Sequence, residues 1–168
     1  MGKHMNVHLI AALTPKGVIG DKGTLPWHIS EDLKHFKALT SNSCVIIGRK
    51  TFDSLNMLEG LPNRKNVVIT SKAHKMPKDG KVMWVDSLNK AVSLAYLFEE
   101  NYKDVFIIGG ASIYEQVFEH NLPNILDLSF VKKEYTGDTT FPIFNKQEWE
   151  EDDMHDYDEF MYIKYVRK

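Results

Sequence analysis

The sequence predicts an α/β fold with a mainly parallel central sheet, helices on both faces and an antiparallel pair of strands at the C-terminal end. Through the first two-thirds of the chain, short apolar segments alternate with amphipathic ones, and strands that alternate with helices form parallel sheets. In the last third, two longer strand-like segments follow each other with no convincing helix between them. That arrangement favours antiparallel pairing at a sheet edge.

The strands predicted for the parallel part are short and almost continuously apolar, as strands covered on both faces must be. In chain order they span residues 7–13, 44–47, 66–70, 83–85 and 105–108. The predicted helices span residues 30–40, 51–55, 87–102 and 112–119. The two predicted antiparallel strands span residues 125–135 and 159–166.

The 168 residues correspond to one domain of typical size, and we assign residues 5–168 to it. Residues 1–4 resemble an expression scar left by a cloning site. The chain is 43% hydrophobic and 26% charged, as is usual for soluble globular proteins. Its net charge of −2 does not supply the positive field that nucleic-acid binding requires.

Three further absences in the sequence point to the compartment. No apolar run approaches the length of a membrane span, and polar residues interrupt the N-terminal region before a secretory signal can form. The single cysteine, Cys44, excludes an internal disulfide and fits a reducing compartment. We therefore expect a cytoplasmic protein that binds neither nucleic acid nor membrane. Separately, we expect it to be a monomer, although none of these observations bears on the oligomeric state.

The sequence contains no motif for a metal site or a reactive thiol. Cys44 opens an apolar strand without a neighbouring base, so we interpret it as an inert core thiol. The seven histidines lack metal-ligand spacing. The acidic run 148–153 could form a metal site with His155, but nothing holds its carboxylates at ligand spacing, and we interpret it as a solvated loop.

A long loop punctuated by glycines, residues 14–27, follows the first predicted strand. Structureless loops of this length are unusual in compact domains and often serve as lids or binding loops. The alternative, a surface loop that tolerates glycine, stays open at this point.

The helix predicted to begin at Ser30, a plausible N-cap, carries one acid among apolar residues. Ile29, Asp32, Phe36 and Leu39 are three or four positions apart and therefore share a helix face. Asp32 either complements the helix dipole in the first turn or faces a cavity. In a cavity its pKa would be raised, and it could bind and protonate a polar ligand.

Three predicted strands end in residues suited to binding phosphate. These ends are 48–51 (Gly-Arg-Lys-Thr), 70–72 (Thr-Ser-Lys) and 109–112 (Gly-Gly-Ala-Ser). The carboxyl ends of parallel strands lie along one edge, where α/β folds bind nucleotides. Neither a G-x-G-x-x-G fingerprint nor a P-loop is present, so a dinucleotide would bind by another arrangement.

Taken in order, the motifs resemble those of the dihydrofolate reductase family, particularly its short bacterial type, from about residue 7 to the C-terminus. Each match is weak alone, but the ordered series is very specific. The series comprises residues 10–12 (Ile-Ala-Ala), 18–20 (Val-Ile-Gly), 25–27 (Leu-Pro-Trp), Asp32 with Phe36, 47–52 (Ile-Gly-Arg-Lys-Thr-Phe), 61–66 (Leu-Pro-Asn-Arg-Lys-Asn), 108–111 (Ile-Gly-Gly-Ala), Tyr114 and 137–142 (Gly-Asp-Thr-Thr-Phe-Pro).

The resemblance implies NADPH-dependent reduction of 7,8-dihydrofolate, with antifolate inhibitors as further ligands. It makes Asp32 the acid that binds the pterin ring, supported by Trp27 through ordered water, and places Leu25 in a mobile loop over the nicotinamide. Arg64 matches the residue that grips the substrate's glutamate tail. The implied substrate contacts are Ile10, Ala12, Asp32, Leu33, Phe36, Leu55, Leu61, Arg64, Ile108, Tyr114 and Ser129, the last in place of the family's threonine.

The resemblance also implies that NADPH binds as the cofactor and that the site holds no metal ion. Its implied contacts are Ala12, Ile19, Gly20, Gly48, Arg49, Lys50, Thr51, Thr70, Ser71, Lys72, Ile108, Gly109, Gly110, Ala111, Ser112, Ile113 and Tyr114. The sequence departs from the family's pattern at three places: Asn63 replaces a frequent glycine, Ser112 stands where some relatives have a cofactor-binding arginine, and segment 55–60 is slightly longer. The last departure concerns the shape of the rim around the substrate's benzoyl-glutamate tail. Two alternatives stay open: a pyrimidine reductase of riboflavin synthesis on the same fold, and a nucleotide-binding module without turnover.

Overall fold

The structure is a computed structural model, and it describes residues 5–55, 57, 59–72, 82–98 and 101–168. Its strands are β1 (Asn6–Leu13), β2 (Val18–Gly20), β3 (Cys44–Gly48), β4 (Lys65–Ile69), β5 (Val82–Val85), β6 (Asp104–Ile107), β7 (Ile125–Val131), β8 (Thr139–Thr140), β9 (Trp149–Asp156) and β10 (Phe160–Arg167). Its α-helices are α1 (Ser30–Thr40), α2 (Arg49–Ser54), α3 (Leu88–Tyr96) and α4 (Ala111–Glu119), and a 3₁₀ turn spans Lys146–Glu148. The predicted remnant at residues 1–4 lies outside the described residues.

Eight strands form one twisted sheet in the order β5-β4-β3-β6-β1-β7-β10-β9. The six strands from β5 to β7 run parallel to their neighbours, and β10 pairs antiparallel with both β7 and β9. This confirms the predicted fold class. The short β2 and β8 form a separate antiparallel pair.

Side chains of β1 alternate between two apolar clusters, one on each face of the sheet. Leu9 packs with α3 and α4 on one face, whereas Ile10 packs with Phe36 and Leu39 of α1 on the other. Because successive residues of a strand point to opposite faces, a continuously apolar strand serves two layers of helices. The carboxyl end of β1 is thereby placed next to α1.

Several predicted boundaries were wrong. Helix α2 spans Arg49–Ser54 and not 51–55, and β7 ends at Val131 and not at residue 135. Ser30 is the first residue of α1 and not its N-cap; the extended residue before the helix is Ile29, whose side chain is buried and fixes the helix start. Helix α3 ends at Tyr96 and not at residue 102, because its buried stripe ends at Ala95 and Leu97 is 77% exposed. Without an apolar face to bury, a further turn gains little stability. Residues 99–100 of that prediction lie outside the described residues.

The acidic run interpreted as a solvated loop is in fact strand β9, the outer edge of the sheet. Its backbone pairs with β10 from Trp149 to Asp156, with a register shift that leaves Asp152 without a partner in the ladder. This ladder overrides the low strand propensity of its acids. Asp152 and Asp156 form ion pairs with Lys164 and Lys132, at 3.5 and 2.6 Å. An edge strand of exposed charges also resists pairing with another chain. The antiparallel part therefore has three strands instead of the predicted two.

Asn66 fixes the loop that precedes β4. Its buried amide accepts a hydrogen bond from the backbone N–H of Leu61 at 2.9 Å and donates to the carbonyl oxygens of Leu61 and Arg64 at 3.0 and 3.1 Å. Gly60, at φ +79°, lies against this amide, and a Cβ there would come within 2.5 Å of the Asn66 Cγ. The loop therefore holds Leu61 and Arg64 in set positions.

We expect Asn66→Ala to lower the free energy of unfolding by about 1–3 kcal/mol, because it leaves partly buried backbone groups of Leu61 and Arg64 without partners. Urea unfolding of the purified variant measures this. Asn89→Ala, at an exposed position of α3, is the matched control and should change stability by less than about 0.5 kcal/mol. Equal effects of the two substitutions would contradict the role assigned to the Asn66 amide.

Candidate active site

A cavity of about 340 Å³ lies at the carboxyl ends of β1 and β6, between α1 and the Gly109–Gly110 turn. It is lined mainly by apolar side chains, as small-molecule sites usually are. Seventeen of the residues predicted for the site line it: Ile10, Ala12, Ile19, Gly20, Leu25, Asp32, Leu33, Phe36, Thr51, Leu55, Leu61, Ile108, Gly109, Gly110, Ala111, Tyr114 and Ser129.

The remaining predicted residues do not line this cavity: Trp27, Gly48, Arg49, Lys50, Arg64, Thr70, Ser71, Lys72, Ser112 and Ile113. Most of them lie at the two neighbouring strand ends, since Gly48 is in register with Ile69 immediately before Thr70. Ile113 is buried beneath the site, where its Cγ1 lies 3.2 Å from where a Cβ on Gly48 would be. Ser112, by contrast, is exposed on α4.

The cavity also includes residues that the sequence analysis missed: Ala11, Gly23, Thr24, His35, Ile47, Ser54 and Thr139. Gly23 and Thr24 belong to the loop predicted as a lid, so loop membership was their signal. His35 follows Asp32 by three residues and thus shares its helix face. Thr139 approaches through the β2–β8 pair, which no local pattern indicates.

Asp32 is the only acidic residue among those lining the cavity. Burial raises the pKa of its carboxyl above the ordinary value, while a hydrogen bond with Ser129 and the nearby His35 act in the opposite direction. Burial destabilises the charged form, so the proton is held more tightly than in water. Asp32 therefore faces the cavity, which is one of the two alternatives that the sequence left open.

Trp27 lies beside the cavity without lining it. Its indole is 7% exposed and packs against Tyr135 with ring centroids 5.6 Å apart. The indole Nε1 is one of two buried side-chain atoms in the described part of the chain that have no hydrogen-bond partner. A buried donor of this kind is normally satisfied by ordered water, which fits the water-mediated role implied by the resemblance.

The loop over the cavity is docked on the segment around β8. The Thr14 hydroxyl donates to Glu134 Oε1 at 2.7 Å, and the backbone N–H of Lys22 donates to Asp138 Oδ2 at 3.1 Å. Strand β2 of this loop pairs with β8. Leu25, half exposed, lines the cavity from the same loop. The loop predicted to lack structure of its own is therefore fixed by these hydrogen bonds and by strand pairing, and we call residues 14–27 the flap.

The turn from β6 into α4 brings bare backbone to the cavity. Gly109 adopts φ +129°, its carbonyl accepts a hydrogen bond from the Gly48 N–H at 2.8 Å, and the Gly109–Gly110 peptide is cis. A Cβ on Gly110 would lie 2.7 Å from Thr51 Oγ1. Glycine is required here because no side chain fits, and the turn leaves its peptide groups accessible to a ligand.

Arg49 begins α2 at the end of β3. Its Nε donates to both carboxylate oxygens of Asp53, at 2.9 and 3.1 Å, and its guanidinium lies 4.8 Å from the ring centroid of Trp84. The ion pair holds one edge of the guanidinium and the indole supports one face. The Nη groups form no hydrogen bond within the described residues and can bind an anion.

Arg64 lies on the α1 side of the site, at the end of the loop fixed by Asn66. Its Nε donates to Thr40 Oγ1 at 2.9 Å and its Nη1 donates to the Pro62 carbonyl at 2.7 Å. The guanidinium carbon lies 5.9 Å from the ring centroid of Phe36, which lines the cavity. A preoriented cation thus stands near the cavity on the α1 side.

The structure also bears on the reactivity of Cys44 and on metal binding. Burial raises the pKa of the Cys44 thiol to about 12, so the thiolate does not form at neutral pH. Among the described residues, no group of three or more His, Cys, Asp or Glu side chains is placed to hold a metal ion. None of the helices described combines the length and apolar character needed to cross a membrane.

The fold and site together define an α/β protein with a half-buried acid, a glycine turn and oriented arginine side chains around one cavity. The family model described as dihydrofolate reductase matches residues 6–167. Dihydrofolate reductase HdrB of Haloferax volcanii is 37% identical over 164 residues, which are 95% of this chain and 82% of the relative. The dihydrofolate reductase of Bacillus subtilis (strain 168) is 34% identical over 168 residues, with 94% of each chain covered.

A solved structure agrees with these relatives. The dihydrofolate reductase from Enterococcus faecalis, complexed with NADP(H) and RAB-propyl, has a TM-score of 0.83 to this chain at 27% identity, and the alignment covers 96% of each chain. The chain belongs to the dihydrofolate reductase family. The resemblance seen in the sequence is confirmed.

We expect Asp32→Asn to make the protein more stable than wild type at neutral pH. Because the folded-state pKa is raised, wild type keeps full stability only below the unfolded pKa of about 3.9 and loses some as pH rises through the folded pKa. Asparagine never ionises and avoids that loss. Urea unfolding between about pH 4 and 8 measures the difference, which should vanish toward acid pH.

The control for this experiment is Asp158→Asn, at an exposed position. It removes the same charge from the surface and should give a nearly constant, small change of stability across the pH range. If Asp32→Asn showed the same flat profile, or became less stable than wild type at neutral pH, the burial of the Asp32 carboxyl would be refuted.

Proposed function

We propose that this chain catalyses the NADPH-dependent reduction of 7,8-dihydrofolate to 5,6,7,8-tetrahydrofolate. Family membership supports the reaction class. The observation that carries the proposal is the one acid that lines the apolar cavity, the half-buried Asp32, which faces the space where a pterin ring would lie. The reaction requires a hydride and a proton at neighbouring atoms of that ring, and an acid with a raised pKa suits the proton step.

The residues present fit a dinucleotide with a 2′-phosphate. The Gly109–Gly110 turn offers backbone where a Cβ would collide with Thr51, which suits close approach by a flat ring or phosphate. At the next strand end, Arg49 and Lys50 provide two cations, and Ser71 provides a hydroxyl beyond β4. NADPH supplies the hydride when it is bound. We assign its binding to these groups and to the other cofactor residues predicted from the sequence.

The substrate side of the site is assigned to α1 and the Asn66 loop. Asp32, with Ser129, would bind the amino group and ring nitrogen of the pterin, and Phe36 would pack on the ring. Arg64 would pair with the glutamate carboxylate, where a guanidinium gives two parallel hydrogen bonds. Leu25 and its flap would exclude water, which strengthens the electrostatic contacts inside.

The same geometry argues against the two alternative functions that the sequence left open. A non-catalytic nucleotide binder has no use for a carboxyl that burial penalises. The substrate of a pyrimidine reductase has no glutamate tail that could pair with Arg64. In this chain Arg64 is held in place by hydrogen bonds to Thr40 and Pro62. We further infer that the protein acts as a cytoplasmic monomer; light scattering of the purified chain tests the monomer.

The decisive experiment is single-turnover hydride transfer with Asp32→Asn. The variant keeps the size of the side chain but cannot hold the proton, so the rate with dihydrofolate should fall by about 10²- to 10⁴-fold at neutral pH. Wild-type rates should fall as pH rises through the pKa of the complex. Lowering the pH protonates the substrate itself and should restore part of the rate in the variant. NADPH affinity should change little, and a near-normal neutral rate would disprove the assignment.

A second prediction concerns the cofactor's 2′-phosphate. Arg49→Ala should weaken NADPH by about 10- to 100-fold, since a charge-assisted hydrogen bond contributes about 1.5–3 kcal/mol, and should leave NADH nearly unchanged. Dissociation constants and KM for both cofactors measure this. Lys90→Ala is the matched control, since Lys90 forms the same kind of i,i+4 ion pair, with Asp86. Equal losses for NADPH and NADH would place the phosphate elsewhere.

A further inference from the structure

A second titratable side chain lines the same cavity as Asp32. His35 lies three residues further along α1, so both side chains project from one face of the helix. No other histidine lines the cavity. Neither ring nitrogen of His35 has a hydrogen-bond partner among the described residues. The imidazole is therefore able to take up or release a proton within the cavity.

The His35 ring is held in place by aromatic contacts with the end of the sheet. Its edge meets Tyr162 of β10 with ring centroids 4.3 Å apart, and Tyr157 and Phe160 lie at 5.9 and 6.2 Å. These three rings come from the β9–β10 hairpin, so the hairpin packs directly on the imidazole.

Charged and titratable groups face His35 from each element packed against it. Asp32 lies on its own helix, Asp127 on β7, and His155 on β9. The Tyr162 hydroxyl donates to Asp127 Oδ1 at 2.5 Å. Burial lowers the pKa of the His35 imidazole, the two carboxyl groups oppose this, and His155 adds to it.

Further hydrogen bonds extend from Asp127, away from the cavity, through His8 to Asp104. Asp127 Oδ2 lies 2.7 Å from His8 Nδ1, and His8 Nε2 lies 2.9 Å from Asp104 Oδ1. His8 and Asp127 are both buried, whereas the Asp104 side chain is 39% exposed. A row of polar groups thus crosses the sheet beneath α1, and Tyr162, which is hydrogen-bonded to Asp127 of that row, contacts the His35 ring.

We propose that His35 is a positioning residue that sets the proton affinity of Asp32, so that the two side chains titrate as a coupled pair. This rests on the proposed function, because the proton concerned is the one that the reduction consumes. The imidazolium favours the carboxylate one helical turn away, and the neutral imidazole removes that effect. Burial moves the carboxyl pKa upward and the imidazole pKa downward, which brings the two titrations closer together.

The test uses two substitutions at residue 35 that must act in opposite directions. His35→Gln removes the titratable charge and should move the midpoint of the pH profile of hydride transfer up, by about 0.5 to 1 unit. His35→Arg carries a permanent charge and should move the midpoint down by a similar amount. A merely structural role would change the amplitude of the rate, and would not shift the midpoint in opposite directions.

His28→Gln is the matched control. His28 is exposed, lies in the same stretch of chain and does not line the cavity, so its profile should coincide with that of wild type. A second readout needs no turnover: carbon-13 NMR of the labelled Asp32 carboxyl in the free protein should show the same two opposite shifts. Thermal unfolding of each variant verifies that the fold is retained.

The outcomes separate this inference from the proposed function. Unshifted midpoints in both variants, by rate and by NMR, would overturn the coupling while hydride transfer still showed the protein to be a reductase. If no variant, wild type included, consumed NADPH with dihydrofolate, the proposed function would fail. The NMR titration would then still decide whether His35 and Asp32 are coupled. Shifts of the same sign in both variants would also overturn the proposal.

Discussion

The carboxyl group of Asp32 sets the main constraint on the site, because a half-buried acid in an apolar cavity is stable only if its surroundings are arranged around it. Ser129 and His35 offset part of the cost of burial. Both must be held at the right distance, which requires α1 to sit at a defined height above β7. The helix is fixed there by Ile29 at its start and by Phe36 and Leu39 against β1 and β6.

The requirement to accommodate the Asp32 carboxyl also explains why the face of the sheet under α1 is packed differently from the opposite face. Beneath α3 and α4 the sheet is covered by a continuous apolar cluster. Under α1 the strands instead carry Ser129, Tyr162, Asp127 and His8. Ser129 forms a hydrogen bond with Asp32, and the other three side chains are paired with one another or with Asp104. A polar strip of this kind is tolerated because its members satisfy each other's hydrogen bonds. It gives the acid an environment that responds to charge.

The other wall of the cavity is made of backbone. The glycine turn after β6 leaves no room for a Cβ beside Thr51, and Tyr114 secures it by donating a buried hydrogen bond to the Ile10 carbonyl at 2.8 Å. The flap that carries Leu25 is held by Glu134 and by the β2–β8 pair. Side-chain chemistry is thus concentrated on α1, whereas the wall at the end of β6 presents peptide groups and, further out, Arg49.

The sequence by itself determined the parallel strands, α1, the acid, the glycine turn and the family, because hydrophobic period and ordered short motifs are local properties of the chain. The tertiary structure alone decided that residues 149–156 form an edge strand, since their charged side chains carry no strand signal and only the β10 ladder holds them extended. It alone brought Thr139 to the cavity and clamped Arg49 between Asp53 and Trp84. It also placed His35 against Tyr162 and Phe160 of β10, contacts that depend on packing between elements distant in sequence.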